Sequence, residues 1–417
     1  MSAGIVALIA ASLFGWGLVS ARLERADVTA PIAFVAVGVL VANLTSIPQD
    51  LETEIVKLVT EVTLAWVLFS DAAQVRFEQL RSELGIFVRL LCVALPLAVV
   101  LGWLLAWAEF SSFDMWLALL VGAALAPTDA ALSASVMNNP AVPGRIRRIL
   151  NVESGLNDGI VTPVVLVALA GAAGAEGAGH GAAHAAGHAV VQLVVGSAIG
   201  LGIGAVGGIA ARGARAKGWI DEIYAGPAIL ALALGSYATA VFAHGNGFIA
   251  AFLSGLAFGQ AAGPGGRLPI VFIEQTSRLA SLVVWTLFGV VAVPVIVDAF
   301  GWQLVLYSVL SLTVVRGLPV ILSLMGTNLS RGARAFIAWF GPRGLASVVF
   351  ALLTIEELGQ RSDLAVAVMA STVLLSVVAH GLSSVPLATR FGSRLERPAT
   401  TSPPPAGGAT TPVPHRP

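Results

Sequence analysis

Thirteen stretches of mainly apolar residues run along the chain, separated by short polar gaps. They cover roughly 4–20, 29–45, 56–75, 85–108, 113–137, 149–172, 188–211, 223–243, 246–260, 271–297, 301–325, 333–355 and 363–389. Most approach the length of about 20 apolar residues that a helix needs to cross the hydrocarbon core of a bilayer. The ninth is short. The first does not read as a secretory signal, because no Lys or Arg precedes it. The pattern predicts an all-α polytopic membrane protein of about 13 transmembrane helices.

The polar gaps differ in charge. Arg22 and Arg25 follow span 1, Arg76 and Arg81 span 3, and Arg145, Arg147 and Arg148 span 5. Arg212, Arg215 and Lys217 follow span 7, Arg267 span 9, Arg331 and Arg334 span 11, and Arg390, Arg394 and Arg397 span 13. The alternate gaps carry Asp50, Glu52, Glu54, Glu109, Asp114, Glu356, Glu357 and Asp363, with only Lys57 and Arg361 as bases. Basic loops stay on the cytoplasmic side. We therefore expect an N-terminus outside, a cytoplasmic C-terminus and residence in the cell (inner) membrane. A miscounted span would scramble this alternation.

Composition sharpens the class. Hydrophobic residues make up 57 % of the chain and charged residues 11 %, against about 25 % charged in ordinary soluble domains. The 45 glycines suit membrane helices packed at close range. Lys+Arg and Asp+Glu both total 23, so no basic footprint for nucleic acid is expected. The single cysteine, Cys92, excludes a disulfide framework or a cysteine-based metal site. Residues 171–188 read as an Ala/Gly-rich extracellular loop. Its His180, His184 and His188 are spaced as one helix face and could ligate a transition metal, although incidental histidines in a low-complexity loop are the plainer reading. Residues 398–417 are rich in Pro, Thr, Ala and Gly and read as a disordered cytoplasmic tail, too short for a soluble regulatory domain.

The two halves of the chain echo each other. Span 5 contains Ala126-Pro127-Thr128-Asp129, and span 12 contains Phe340-Gly341-Pro342-Arg343-Gly344. Span 3 carries Trp66-Val67-Leu68-Phe69 and span 10 Trp285-Thr286-Leu287-Phe288. Prolines inside apolar helices at matching places point to inverted repeats with broken helices. Spans 1–6 and 8–13 would be the repeats, joined by span 7.

Charged groups at membrane depth are functional candidates by default. Here they are Asp129, Glu153, Asp158 and Arg343, with Asp71, Arg316, Glu274 and Arg278 nearer the cytoplasmic ends. Pro127 has no N–H, so the carbonyl of Ala123 is expected to lose its helical partner. Thr128 and Asp129 then stand where the second half-helix begins and an N-cap belongs. A carboxylate, a hydroxyl and open carbonyls suit a small monovalent cation, since hard cations prefer oxygen. A plain proline kink with a capping Asp is the alternative. In span 6, Ser154 and Asp158 share a helix face, with Glu153 and Asn157 on the neighbouring one. Glu153 needs a cationic partner, and Arg343 in the break of span 12 is the natural one.

Together, Ala126-Pro127-Thr128-Asp129-Ala130, Glu153-Ser154-Gly155-Leu156-Asn157-Asp158-Gly159 and Gly341-Pro342-Arg343-Gly344 resemble the bacterial sodium/proton antiporters of the monovalent cation:proton antiporter-1 family, relatives of the eukaryotic sodium/proton exchangers. The resemblance covers essentially the whole hydrophobic chain. It implies that Asp158 binds either the proton or the cation, with Ser154, Asp129 and the main-chain oxygen of Thr128 completing a cation site. It implies that Asn157 ties the broken helix and Glu153 pairs with Arg343. Relatives that move net charge have Asp in place of Asn157, so electroneutral one-for-one exchange is implied. Homodimers are implied too, with a core of helices 4–6 (85–172) and 11–13 (301–389). The core moves against dimer-domain helices 1–3 (1–75) and 8–10 (223–297), with helix 7 (188–211) as linker.

Two departures stand out. The family often has an acid directly after the Leu-Phe of span 3, where this chain has Ser70 and only then Asp71. One residue turns a helix by about 100°, which puts the role of Asp71 in doubt. The family's Arg-Pro of span 11 is here Arg316-Gly317-Leu318-Pro319. Arg316 could pair with Glu274, or Glu274 with Arg278. We expect a secondary antiporter of Na⁺ (with Li⁺ or K⁺ as further cargo) and H⁺, without other cofactors and surrounded by lipid. A K⁺/H⁺ antiporter is the alternative, and an organic-acid symporter on a related fold is a weaker one. No filter-like repeat favours a channel. An enzyme is not expected, for want of a Ser/His/Asp set, a phosphate loop or a metal box.

Overall fold

The computed structural model describes residues 3–24, 28–44, 53–75, 77, 81, 83–129, 132, 134–137, 139–174, 181–263 and 267–395. Among them the ordered elements are all helical. Grouped by span they are α1 (Ala3–Glu24), α2 (Ala30–Leu44), α3 (Thr53–Gln74), α4 (Leu84–Glu109) and the broken α5, as α5a (Met115–Ala124) and α5b (Ala134–Met137). Then come α6 (Gly144–Gly174), α7 (Gly181–Ala216), α8 (Glu222–Phe242), α9 (Gly247–Ala261), α10 (Arg267–Asp298) and α11 (Trp302–Ser323). The broken α12 follows, as α12a (Arg331–Trp339) and α12b (Leu345–Leu358), and α13 (Asp363–Leu395) closes the fold. The thirteen spans expected from hydropathy are present, and span 9 is short as expected.

Local chemistry sets several helix starts. The side chains of Asp114, Asp221, Asn246 and Ser330 accept backbone N–H groups at the first turns of α5a, α8, α9 and α12a. The Ala/Gly-rich stretch after span 6 is helical at both of its described ends, where a loop was expected. α6 runs to Gly174 and α7 begins at Gly181, because alanine favours helix strongly enough to extend both. His184 and His188 lie on α7, while His180 and the tail 398–417 lie outside the described residues.

Small residues govern the closest approaches. On α7, Gly196, Gly200 and Gly204 recur every four residues, and a Cβ on any of them would run into the backbone of Asn246, Ala250 or Ser254. This is small-residue packing of membrane helices. It seats α9 between α7 and α3, while α10 packs along α2 and α3. On the other side α4 packs on α5a, α5a on α6, and both α11 and α12b on α13. The two sets meet where α10 runs along α13 and where α3 lies against α6 and α12b. α4 and α11 each carry one π-helical turn, Leu90–Ala94 and Ser311–Val315, at matching places in the two halves. Hydropathy carries no trace of this pair.

Candidate ion-binding site

The two breaks meet and complete each other. In α5 the carbonyl of Ala123 does not go without a partner, contrary to expectation. The chain tightens, and the N–H of Ala126 donates to it at 3.1 Å. The carbonyls further along are served from α12. Ser347 donates its hydroxyl to Ala124 O (2.6 Å), and Arg343 Nη1 donates to Ala126 O (2.6 Å) and Pro127 O (3.1 Å). Arg343 has 0 % exposure, so its guanidinium stands in for the helical donors that the break and Pro127 remove.

α5 returns the service. The N–H of Asp129 donates to Pro342 O at 2.8 Å, and Asp129 Oδ2 accepts the N–H of Leu345 at 3.1 Å. Asp129 therefore caps α12b, the second half of the other broken helix. Glycine makes this approach possible: a Cβ on Gly344 would overlap the Asp129 carboxylate. A Cβ on Gly341 would come 2.5 Å from Arg316 Nε and 2.9 Å from the Thr128 methyl.

α6 supplies the third wall. Asn157 Nδ2 donates to Thr128 Oγ1 at 2.7 Å, and Thr128 Oγ1 lies 3.0 Å from Ser154 Oγ. This ties the helix to the break of α5. Asp158, one residue on, is 8 % exposed, and its Oδ1 is buried without a hydrogen-bond partner among the described residues. Asp129 and Asp71 are acidic residues near enough to act on it electrostatically. Asp71 stands beside α6: a Cβ on Gly155 would sit 3.6 Å from Asp71 O and 3.8 Å from its Cβ. The one-residue shift in span 3 thus leaves Asp71 near the site. Ser70, at the position where the resemblance places an acid, is buried, and Asp71 is half-buried. The ring of Phe252, on α9, presses on Gly159 next to Asp158, so that α9 closes the site from outside the broken pair.

The expected pairing of Glu153 with Arg343 is not what the structure contains. Arg316 Nη1 donates to Glu153 Oε1 at 2.6 Å, with both side chains 3 % exposed. Arg343 is committed to the carbonyls of the α5 break, and the missing side chain of Gly341 leaves room for the Arg316 guanidinium beside it. Glu274 pairs with Arg278 at 2.6 Å, one of the two arrangements open from sequence, and not with Arg316. Sequence reasoning also passed over Ser347, Ser376 and His380, all buried on α12b and α13. A histidine inside an apolar span, with a serine one turn before it, was the available signal.

Among the described residues no group of three His, Cys, Asp or Glu side chains forms a metal site. The collected donors are hard oxygens, namely Asp158, Asp129, Ser154 and Thr128, with Asp71 nearby. That set suits a small monovalent cation or a proton as cargo.

Two discontinuous helices that meet at mid-span, with ionisable oxygens at the junction, define a secondary-transporter fold. Residues 8–390 match the family described as sodium/hydrogen exchanger, transmembrane, and the chain belongs to that family. It is 25 % identical over 370 residues to the K(+)/H(+) antiporter NhaP of Alkalimonas amylolytica, an overlap of 83 % of this chain and 59 % of that protein. It is also 25 % identical over 354 residues to the Na(+)/H(+) antiporter ApNhaP of Aphanothece halophytica, covering 81 % of this chain and 65 % of that one. The chain thus spans less than two thirds of the length of either relative. Its fold is similar to the sodium proton antiporter MjNhaP1 from Methanocaldococcus jannaschii at pH 8, with a TM-score of 0.72, 18 % identity, and coverage of 93 % of this chain and 98 % of the other.

Proposed function

We propose that the protein is a secondary antiporter that exchanges a monovalent cation, Na⁺ first, for H⁺. The observation that carries this reading is the buried oxygen of Asp158, without a hydrogen-bond partner among the described residues, beside Ser154, Thr128, Asp129 and Asp71 at the meeting of two helix breaks. Asp158 takes either the cation or the proton, so that the two compete for one carboxylate. An occupied carboxylate carries no uncompensated charge through the low-dielectric interior, whereas an empty one does. That difference couples the two fluxes. Ser154 and Thr128 add hydroxyl and main-chain oxygen, and Asp129 adds its carboxylate while capping α12b. Asn157 is spent on Thr128 and has no proton to exchange, which supports electroneutral one-for-one stoichiometry. The Glu153–Arg316 pair holds α6 to α11 and plays a structural part.

The moving body in this reading is α4–α6 with α11–α13, and the scaffold is α1–α3 with α8–α10. The packing of each set within itself supports the division. The basic gaps after the odd spans support a cytoplasmic C-terminus in a cell membrane. Association as a homodimer through the scaffold completes the reading.

The test is transport in proteoliposomes under an imposed Na⁺, Li⁺ or K⁺ gradient, with lumenal pH recorded and the membrane potential clamped. Na⁺-driven proton movement that is insensitive to the clamp is expected, and Asp158→Asn should abolish it while the protein stays folded. Unchanged activity in that variant would overturn the site. The K⁺/H⁺ reading rests on the printed activity of the Alkalimonas relative, and K⁺ outrunning Na⁺ in the same assay would establish it. Competition by organic acids would favour the symporter reading instead.

A further inference from the structure

The exchange reading gives no task to a buried histidine. His380 lies on α13 with 1 % exposure, and its ring points at the α12 break. Nε2 is 2.8 Å from the carbonyl of Trp339, the last residue of α12a. A carbonyl only accepts, so Nε2 carries a hydrogen and donates it. Nδ1 is 2.9 Å from the carbonyl of Ser376 and 3.3 Å from its hydroxyl. A protonated Nδ1 donates to that carbonyl, and an unprotonated one accepts from that hydroxyl. The bond to Trp339 persists in both states.

Ser376 faces the same way, four residues earlier. Its hydroxyl accepts the N–H of Arg343 at 2.7 Å, on the far side of the break. One face of α13 thus grips the last carbonyl before the break and an amide just before α12b. The ring also stacks on Trp339, with centroids 5.2 Å apart and an interplanar angle of 26°, and the Trp339 indole donates to Ser383 at 3.0 Å. The grip matters because of what the break carries. Arg343 serves Ala126 and Pro127, and Pro342 receives the N–H of Asp129. A continuous run of hydrogen bonds leads from His380 through α12 to the oxygens of the α5 break.

We propose that His380 is a positioning residue of the exchange reaction, holding the α12 break so that Asp129 and Thr128 face Asp158. It touches neither cargo and acts through Trp339, Ser376 and Arg343. Packing alone would ask only for a flat ring. The donor on Nε2 is what the proposal requires.

The proposal rests on the antiport reading, so its test has one arm that needs no transport. His380→Phe keeps a ring against Trp339 and removes the donor. Trp339 O still receives the N–H of Gly341 at 2.8 Å, which leaves the fold intact. His380→Gln restores a donor, and Ser376→Ala removes the second grip. Hydrogen exchange of the amides of residues 340–345 should speed up in His380→Phe and Ser376→Ala, at unchanged melting temperature, and stay close to wild type in His380→Gln. In proteoliposomes the KM for Na⁺ should rise about tenfold in His380→Phe, as for loss of an outer-shell partner, with kcat nearly unchanged and His380→Gln close to wild type. Wild-type amide exchange and KM in His380→Phe would overturn the proposal, and so would equal damage in His380→Gln. Absence of proton movement driven by Na⁺, Li⁺ or K⁺ in the wild type, with faster amide exchange in His380→Phe, would refute the antiport reading and leave the positioning of the break standing.

Discussion

The choice of partner for Glu153 can be measured as a coupling energy. Glu153 and Arg316 are each 2 % exposed, and among the described residues the carboxylate is the one hydrogen-bond acceptor of the Arg316 guanidinium. Removing either partner leaves an uncompensated charge in a low-dielectric interior, at a cost of about 3–5 kcal/mol. Replacing both by apolar residues of similar volume removes that charge, and such exchanges are often close to neutral. The variants are Glu153→Met, Arg316→Met and the double variant. Each single variant should lower the melting temperature in detergent by several degrees, and the double should recover most of the loss. Because the double variant recovers both single costs, the coupling between positions 153 and 316 should exceed about 3 kcal/mol, above most contacting pairs. The same cycle with Arg343→Met should give a clearly smaller coupling, because Arg343 is bonded to Ala126 and Pro127 and meets Glu153 only through longer-range charge. Urea or thermal unfolding of purified protein, followed by tryptophan fluorescence, supplies all the numbers. A coupling to Arg343 larger than that to Arg316 would refute the reasoning.

Three further outcomes follow from the same structure. Gly344→Ala should abolish exchange, since its Cβ overlaps the Asp129 carboxylate, whereas Gly317→Ala, with open space around it, should transport normally in the same assay. Lys57 on α3 and Glu356 at the end of α12b form an ion pair between the proposed scaffold and moving body. Lys57→Glu should change the rate of exchange, and adding Glu356→Lys should restore it; no rescue would show that the pair does not span the moving boundary. At the other end of the molecule, the Arg145 guanidinium holds the Glu83 carboxyl below its ordinary value, chiefly by hydrogen bonds of 2.6 and 2.8 Å. The pair's contribution is therefore complete above the ordinary carboxylate pKa and is lost as pH falls through the lowered one. Stability measured from pH 7 downwards should drop less steeply in Glu83→Gln than in the wild type.

The span count was legible because the need to bury apolar surface in lipid writes itself along the chain residue by residue. So were the two breaks, where a proline in an apolar span stands beside Thr128-Asp129 or between Gly341 and Arg343-Gly344; proline alone does not decide it, since Pro163, Pro227 and Pro386 sit inside unbroken helices. The partners were not. Glu153 needs a cation, but which arginine reaches it depends on where Gly341 leaves space and on Arg343 being taken by carbonyls of another helix. Asp129 as the cap of α12b was hidden for the same reason: the cap joins two segments that only the tertiary fold brings together. Asp71 shows the limit of helical-wheel arguments. A turn of about 100° matters less when the facing residue is Gly155, which has no side chain to hold the helices apart. The α4 and α11 π-turns have no hydropathy signature, because an extra residue per turn changes the hydrogen-bond register and not the composition.

Asp129 belongs to two structures at once. Its charge is counted among the oxygens around Asp158, and the same carboxylate holds the first amide of α12b. A cation that draws on that charge weakens the cap, and any change that strengthens the cap weakens the attraction for the cation. By linkage the two effects are equal in free energy. In the antiport reading the backbone of α12b should therefore report the occupancy of a site formed largely by α5 and α6, before any helix has moved. Measured Na⁺ affinity and the amide exchange of Leu345 should change in register across any series of variants at the crossing.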